Sequence, residues 1–139
     1  MTDSIRSNKA PKPVGPYPHA KKVGNLLFLS GIGPRKPGMK TIPGVELDET
    51  GNIISYDIVD QCRSVFENIR NILEDSGSHW DNLVDITVFL TNMKNDFPLY
   101  NQVYAEYFGN NQPCRTTVEV TALPTPIAIE LKCIATIRK

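Results

Sequence analysis

The chain has 139 residues, of which 40% are hydrophobic, and its 15 basic and 15 acidic residues give a formal net charge of +0. This length suits a single domain with one hydrophobic core, and the balanced charge argues against a protein that binds nucleic acid through a basic surface. No apolar run approaches the ~20 residues of a membrane span, and residues 1–13 lack the apolar segment of a signal peptide.

The cysteines and histidines favour a reduced protein without a metal centre. Cys62, Cys114 and Cys133 form neither a Cys-x-x-Cys pair nor an even-numbered framework, which is typical of intracellular proteins. We therefore expect a cytoplasmic location. His19 and His79 are far apart in the sequence and have no metal-ligand spacing around them, so we expect no metal site.

The first third of the chain predicts short strands and a long loop. Residues 1–18 contain four prolines, which exclude a helix and predict an extended arm. Residues 19–30 predict a β-hairpin whose turn is Gly24-Asn25. Residues 31–54 are rich in glycine and proline and predict a long loop of the kind that is often functional.

A helix and a strand are predicted in the middle of the chain. Apolar residues recur at steps of three and four across residues 57–75, which indicates an amphipathic helix. We expect Ser55 to cap its start and Gly77 to end it. A buried strand is predicted at residues 83–90.

A second helix and two strands complete the predicted fold. The helix should be capped by Asn95 or Asp96 and should contain Pro98 in its first turn. Strands are predicted at residues 115–121 and 127–137.

The predicted order of elements is two strands, a loop, a helix, a strand, a helix and two strands. Helices inserted into a series of strands favour an α+β fold in which two helices lie on one face of a mixed sheet. We find no internal repeat or domain boundary, and we expect residues 1–139 to form one domain.

Polar side chains alternate with apolar ones in the last two strands. Arg115, Thr117 and Glu119 share one face of the first strand, and Glu130 and Lys132 share a face of the second. The opposite, packed face of the first strand should consist of Thr116, Val118 and Val120. A sheet face lined by Arg, Thr, Glu and Lys is either solvated, as is common in antiparallel sheets, or the wall of a polar pocket. In a pocket, arginine can bind a carboxylate through two hydrogen bonds, and Glu and Lys can move protons.

A series of motifs along the chain resembles one known family. They are Gly15-Pro16-Tyr17, Leu29-Ser30-Gly31, residues 82–89, Asn95-Asp96-Phe97, Tyr100-Asn101-x-x-Tyr104-x-x-Tyr107-Phe108, Pro113-x-Arg115-Thr116-Thr117-Val118-Glu119-Val120 with Leu123-Pro124, and Ile129-Glu130-Leu131-Lys132-Cys133-Ile134-Ala135. Their order and spacing, from about residue 10 to the end, resemble the RidA/YjgF enamine/imine deaminase family.

The resemblance implies a fold, an assembly and an activity. The fold would be chorismate-mutase-like, and three chains would form a homotrimer with a central barrel of sheets, outer helices and active sites between subunits. Whether such trimers pair into hexamers stays open. The activity would be hydrolysis of a reactive enamine or imine to a carbonyl compound and ammonia, without metal or organic cofactor. The partner would be a small-molecule substrate, not nucleic acid or a membrane.

The resemblance also assigns site residues. Arg115 matches the arginine that binds the substrate carboxylate. Tyr17, Ser30, Gly31 and Asn101 match positions that line the pocket and bind substrate.

Two positions depart from the usual family pattern. Thr117 stands beside the arginine where a cysteine or serine is common, and it is expected to contact substrate. Lys132 replaces the second glutamate of a common Ile-Glu-Ile-Glu sequence, a glutamate expected to position the hydrolytic water. Lys132 and Arg35 instead resemble the 2-aminomuconate deaminase branch of the family, which acts in the breakdown of aromatic compounds.

A dicarboxylate such as 2-aminomuconate requires two cationic contacts. Arg115 would bind the carboxylate next to the amino-bearing carbon, and Lys132, or Arg35 and Lys36, would bind the distal one. Water would add to the imine carbon and ammonia would leave, giving 4-oxalocrotonate. Glu130 is either the group that handles the water proton, together with Lys132 as a catalytic residue, or a structural partner of these cations.

Two alternatives remain open at this stage. The chain is either a general RidA-type deaminase of 2-imino acids, against which Lys132 counts, or a non-catalytic regulatory trimer that binds a small acid.

Overall fold

The computed structural model describes residues 3–137, and its elements follow the predicted order with one short strand and one hairpin added. The strands are β1 (Ser4–Ile5), β2 (Ala20–Val23), β3 (Leu26–Leu29), β4 (Val45–Leu47), β5 (Ile53–Tyr56), β6 (Leu83–Leu90), β7 (Cys114–Glu119) and β8 (Ile129–Thr136). The helices are α1 (Ile58–Asp75) and α2 (Met93–Tyr107), with a 3₁₀ turn at Trp80–Asn82. No helix within these residues is long and apolar enough to cross a membrane.

Six strands form one mixed sheet in the order β1-β2-β3-β8-β6-β7. β6 and β7 run parallel, and the other neighbouring strands are antiparallel. β3 and β8 therefore lie at the centre, β6 lies next to the edge, and β7 lies at the edge. The α+β fold with a mixed sheet is confirmed.

Both helices cover the same face of this sheet. The ladder between β6 and β8 pairs Ile86 with Cys133 and Val88 with Leu131, and all four side chains are buried in the core that α1 and α2 complete. Phe66 of α1 is fully buried, and its ring centroid lies 4.7–5.8 Å from those of three aromatic neighbours, Trp80, Tyr107 and Phe108. The predicted arrangement of two helices on one face is confirmed.

The N-terminal caps of both helices differ from those predicted, whereas Gly77 follows the C-terminal cap of α1 as expected. Asp57, not Ser55, caps α1, and its carboxylate accepts the N–H groups of Val59 and Asp60. Asn92, not Asn95 or Asp96, caps α2. Pro98 therefore lies deeper in the helix than its first turn, where its missing N–H removes only the bond to the Lys94 carbonyl.

The predicted loop at residues 31–54 contains the hairpin β4–β5. Its turn is built by Asp48, whose carboxylate accepts hydrogen bonds from the N–H groups of Thr50 and Asn52. These bonds stabilise the ionised carboxylate and lower its pKa. Such Asx-type turns are a known alternative to a β-turn. The hairpin was not predicted because β4 and β5 are too short for an alternation of apolar and polar residues to identify a strand.

The arm predicted at residues 1–18 is fastened to the domain, although residues 1–2 lie outside the described part. Ser4–Ile5 pairs with β2. The ring of His19 accepts the Ser7 N–H at Nδ1 (2.9 Å). Its Nε2 must then carry the ring hydrogen, which it donates to the Pro11 carbonyl at 2.7 Å. The arm is thereby held over the end of β3.

Gly44 is required where the hairpin meets α1, and its substitution tests this junction. Its φ is 72°, and a Cβ there would lie 2.6 Å from the Asp57 carbonyl oxygen. We expect Gly44→Ala to lower the free energy of unfolding by about 2–3 kcal/mol, measured by urea denaturation. Gly51 also has a positive φ but nothing within 4 Å of an added Cβ, so Gly51→Ala should cost only ~1 kcal/mol. Equal losses in the two variants would contradict the steric argument.

Candidate functional site

Four predicted site residues meet in a cleft beside the end of β3. Tyr17, Gly31, Arg35 and Glu130 line a cavity of about 90 Å³, and Tyr17, Gly31 and Arg35 also line an adjoining cavity of about 30 Å³ with Ser30. The rest of the larger cavity is formed by residues that were not predicted as site residues: Val14, Gly33, Pro124, Thr125 and Ile127. Leu123-Pro124 lay within the family motif, which was the available signal for this wall.

The cleft is built where the chain leaves β3 and lies against β8. Ile32 exchanges backbone hydrogen bonds with Leu131 of β8, at 2.8 and 2.9 Å. This pairing places Gly31 beside Glu130. The hydroxyl of Ser30 donates to the Pro18 carbonyl at 2.7 Å, which ties the same segment to the arm.

Gly31 is needed because the Glu130 side chain lies directly against its Cα. A Cβ at position 31 would lie 2.9 Å from the Glu130 Cδ and closer still to one carboxylate oxygen. Any side chain at position 31 would therefore displace the carboxylate from the cavity wall.

The charge environment of Glu130 suits a proton-transfer group. Burial raises the pKa of its carboxyl, because desolvation disfavours the ionised form, and the positive charge of Arg35 partly offsets that rise. Arg35 is held in turn by a hydrogen bond from its Nη2 to the Lys12 carbonyl, at 3.0 Å. A carboxyl with a raised pKa can both accept and return a proton nearer neutral pH.

Arg115 lies on the other side of the sheet from Glu130. In the ladders around β6, Arg115 and the buried Cys133 both pair with Ile86, so Arg115 points toward the helices. Glu130 pairs with Phe89, on the face that no helix covers. The expectation that Arg, Thr, Glu and Lys share one sheet face is therefore wrong within a single chain.

The second strand face was also assigned incorrectly. Arg115 and Thr117 are half-buried, whereas Thr116 and Val118 are exposed. The packed face of β7 is thus the one that carries Arg115. The reason is that aromatic rings of α2 cover the face that carries Arg115, whereas Thr116 and Val118 lie on the opposite, exposed face.

The other predicted substrate contacts lie on β7 and α2, with Arg115 and Thr117 on the strand and Asn101 on the helix. Thr117 follows Arg115 on the same strand face. Asn101 is half-buried in α2, next to Tyr100, whose ring lies 5.5 Å from the Arg115 Cζ. The sequence analysis names Tyr104 only as part of a family motif and gives it no role, yet its ring is the one nearest to this guanidinium, at 4.6 Å.

The two lysines proposed as distal contacts lie outside both cavities. Lys132 is exposed on the open sheet face, and its Nζ donates to the Leu29 carbonyl at 3.0 Å. Lys36 is turned toward α1, where it pairs with Glu67 at 3.0 Å. Glu130, the first glutamate of the family sequence, is retained at the cavity, so Lys132 does not remove the cavity's acid.

Comparisons with known proteins agree with this architecture. The family model described as endoribonuclease L-PSP matches residues 7–137. A RutC family protein of Pyrococcus horikoshii is 44% identical over 135 residues, which cover 97% of this chain and 98% of that protein. The chloroplastic Reactive Intermediate Deaminase A of Arabidopsis thaliana is 38% identical over 133 residues, covering 96% of this chain and 65% of that protein. The crystal structure of E. coli TdcF with bound serine has a TM-score of 0.82 and 30% identity, covering 97% and 98% of the two chains.

The coupling between Arg35 and Glu130 can be measured without any substrate. Arg35→Gln removes the positive charge that lowers the pKa of Glu130, so this pKa should rise further. Titration of the Glu130 carboxyl by ¹³C NMR should show its inflection at higher pH in the variant than in the parent chain. Arg63→Gln is the matched control, because Arg63 is exposed and pairs with Glu106 at 3.2 Å. An inflection that stays in place in Arg35→Gln would refute the coupling.

Proposed function

The chain belongs to the endoribonuclease L-PSP family, the family of the RidA/YjgF deaminases, and we propose that it hydrolyses small imines and enamines that carry a carboxylate. The observation that carries this proposal is the half-buried Glu130 carboxyl, packed on Gly31 in a cavity that Tyr17 and Arg35 complete. Relatives support it, since one of them is named Reactive Intermediate Deaminase A. TdcF, which binds serine in its crystal structure, supports a ligand that carries a carboxylate.

The catalytic unit is an oligomer in this proposal. Arg115 and Glu130 point away from opposite faces of one sheet, so one chain does not bring them to the same ligand. A second copy can place its Arg115 edge over the Glu130 cleft of the first. We propose a homotrimer in which each site lies between two subunits, with closed symmetry so that every copy contributes both halves.

The proposed reaction needs only binding and proton transfer. An enamine first takes a proton from solvent at carbon to become the iminium ion, which is electrophilic. Water adds to the iminium carbon, and Glu130 accepts one of its protons, which leaves a neutral carbinolamine. Glu130 then returns that proton to the nitrogen, which leaves as ammonia while the carbinolamine hydroxyl loses its proton to solvent and the carbonyl forms. Arg115 of the adjacent copy holds the substrate carboxylate, which fixes the reacting carbon beside Glu130.

We propose further that the substrate is a dicarboxylate, and 2-aminomuconate, converted to 4-oxalocrotonate and ammonia, is the specific candidate. A second carboxylate requires a second cation, and Arg35 lines both cavities beside Glu130. Lys132 lies on the same face of the sheet as Glu130 and adds positive charge there. A cytoplasmic location belongs to the same proposal.

A ribonuclease function is not favoured, although the family takes its name from one. The formal net charge is +0, which gives no general attraction to a polyanion. Binding of a small acid without turnover differs from the proposed function by one observable, ammonia release.

Complementation between two inactive variants tests the activity and the shared site together. Arg115→Ala and Glu130→Gln should each lower kcat/KM for ammonia release from freshly generated 2-aminoacrylate by about a hundredfold. Mixed oligomers made by unfolding and refolding the two variants together should recover up to about a quarter of the parent activity. Each proposed site takes Glu130 from one copy and Arg115 from another. Each of these copies carries the intact residue about half of the time, so about a quarter of the sites are complete. Arg63→Ala serves as the control for loss of an arginine, and it should keep full activity.

Two results would contradict the proposal in different ways. Parent protein that forms oligomers but releases no ammonia above the spontaneous rate would exclude the deaminase function. Active parent protein whose two variants never complement each other would place Arg115 and Glu130 in separate roles.

The dicarboxylate proposal predicts a substrate-dependent effect of Arg35. Arg35→Gln should raise KM for 2-aminomuconate about tenfold or more, the loss of one charge-assisted hydrogen bond. KM for 2-aminoacrylate, which has one carboxylate, should change less than about twofold. Rates are compared well above the pH at which Glu130 titrates in either protein, so that its raised pKa in the variant does not contribute. Lys132→Gln, run alongside, should give a smaller change because Lys132 lines neither cavity. Equal losses with both substrates would argue for a general imine deaminase.

A further inference from the structure

The guanidinium of Arg115 is surrounded by aromatic side chains of α2. Its Cζ lies 4.6 Å from the ring centroid of Tyr104, 5.5 Å from that of Tyr100 and 5.7 Å from that of Phe97. These three residues are spaced by three and four positions, so they lie on one face of the helix. All three distances are within the range in which an aromatic ring attracts a cation.

The same guanidinium has no polar partner among residues 3–137. Its interactions there are the three ring contacts, and no carboxylate, carbonyl or hydroxyl hydrogen-bonds to it, although Arg115 is half-buried. The hydroxyls of Tyr100 and Tyr104 are buried and also lack a hydrogen-bond partner in this part of the chain. A half-buried guanidinium without an acceptor is costly, so the Arg115 guanidinium is arranged for an anion that arrives from outside.

Two other cations are held differently, since Arg63 pairs with Glu106 and Lys36 pairs with Glu67. Among residues 3–137 Arg70 also contacts aromatic rings without an acid, but it is exposed, whereas Arg115 is half-buried. An acid beside Arg115 would fix the guanidinium equally well, but it would occupy the N–H groups that a substrate carboxylate needs. A ring that contacts the flat face of a guanidinium holds it while leaving the donors on its edge free.

We propose that Tyr104 is a positioning residue, whose ring holds the Arg115 guanidinium in one orientation for two-point binding of a small carboxylate. The inference rests on the proposed function, because it identifies the ligand as the substrate carboxylate. Tyr104 is the nearest ring, and it is fixed in turn by stacking on Phe108, with centroids 4.3 Å apart and planes at 27°. Tyr100 supports it from the other side, at 5.5 Å.

Tyr104 also offers variants that separate the ring from the hydroxyl. Tyr104→Phe keeps the ring and removes a hydroxyl without a partner, so KM for 2-aminoacrylate should stay within about twofold of the parent value. Tyr104→Leu removes the ring, and KM should rise about three- to thirtyfold. The carboxylate contact is made in the ground state and the transition state alike, so kcat should change much less than KM.

Tyr107→Leu is the matched control. Tyr107 lies on the same helix, and its ring centroid lies 4.7 Å from that of Phe66. The same ring centroid lies 5.9 Å from the Arg70 Cζ and 6.0 Å from the Arg63 Cζ, about the limit of a cation–ring contact. It does not contact Arg115. Its loss should lower the melting temperature without raising KM.

A second measurement keeps the inference testable if Tyr104→Leu fails to fold or the parent protein is inactive. The Nε–H of Arg115, observed by ¹⁵N NMR relaxation in the ligand-free parent oligomer and in Tyr104→Phe, should be as ordered as the backbone. Titration with pyruvate should then shift this signal.

Each outcome has a distinct meaning. An Arg115 Nε–H that is mobile in the ligand-free protein would overturn the positioning role whatever the activity. A folded Tyr104→Leu variant with the parent KM would do the same. An ordered Nε–H that shifts with pyruvate, in a protein that releases no ammonia, would support the positioning role while the deaminase function fails.

Discussion

The alternation of side chains along β7 and β8 is the constraint on which the candidate site depends. Because paired residues of neighbouring strands point to the same face, the register through Ile86 directs Arg115 toward the helices. The register through Phe89 directs Glu130 to the open face. A shift of one residue in either strand would exchange the faces. The division of the proposed site into two halves follows from this register, and it is the reason why the proposal includes a second copy.

Glu130 and Arg115 are both half-buried ionisable groups, but their surroundings differ. Glu130 is an acid whose raised pKa is moderated by a nearby cation, Arg35, and its place on the wall is secured by the absence of a side chain at Gly31. Arg115 has no acid beside it among residues 3–137, where its contacts are three aromatic rings. The first arrangement suits a group that must gain and lose a proton, and the second suits a group that must stay charged and leave its donors free.

The sequence was sufficient for the parts of this structure that depend on local periodicity. The 3.6-residue pattern located α1, and the two-residue pattern correctly grouped Glu130 with Lys132 and Arg115 with Thr117. It did not predict which group faces the helices, because that depends on the parallel pairing of β7 with β6 and on the rings of α2. Caps were misplaced for a related reason. Ser55 and Asp57 both lie near the start of α1, and Asn92, Asn95 and Asp96 lie near the start of α2, so the sequence pattern alone does not select Asp57 and Asn92.

The same dependence on distant pairing explains why the sequence did not place Lys132 outside the two cavities and why Tyr104 was overlooked. A lysine in place of a glutamate is conspicuous in a sequence, but β8 directs it toward the Leu29 carbonyl, outside both cavities. A tyrosine at helical spacing is ordinary in a sequence, yet the crossing of α2 over the edge strand places it on the guanidinium. Whether a residue can act on a ligand depends here more on its position in the fold than on its residue type. A charged group acts on a ligand only where the fold leaves its hydrogen-bonding capacity unused, and among the residues compared above Arg115 meets that condition.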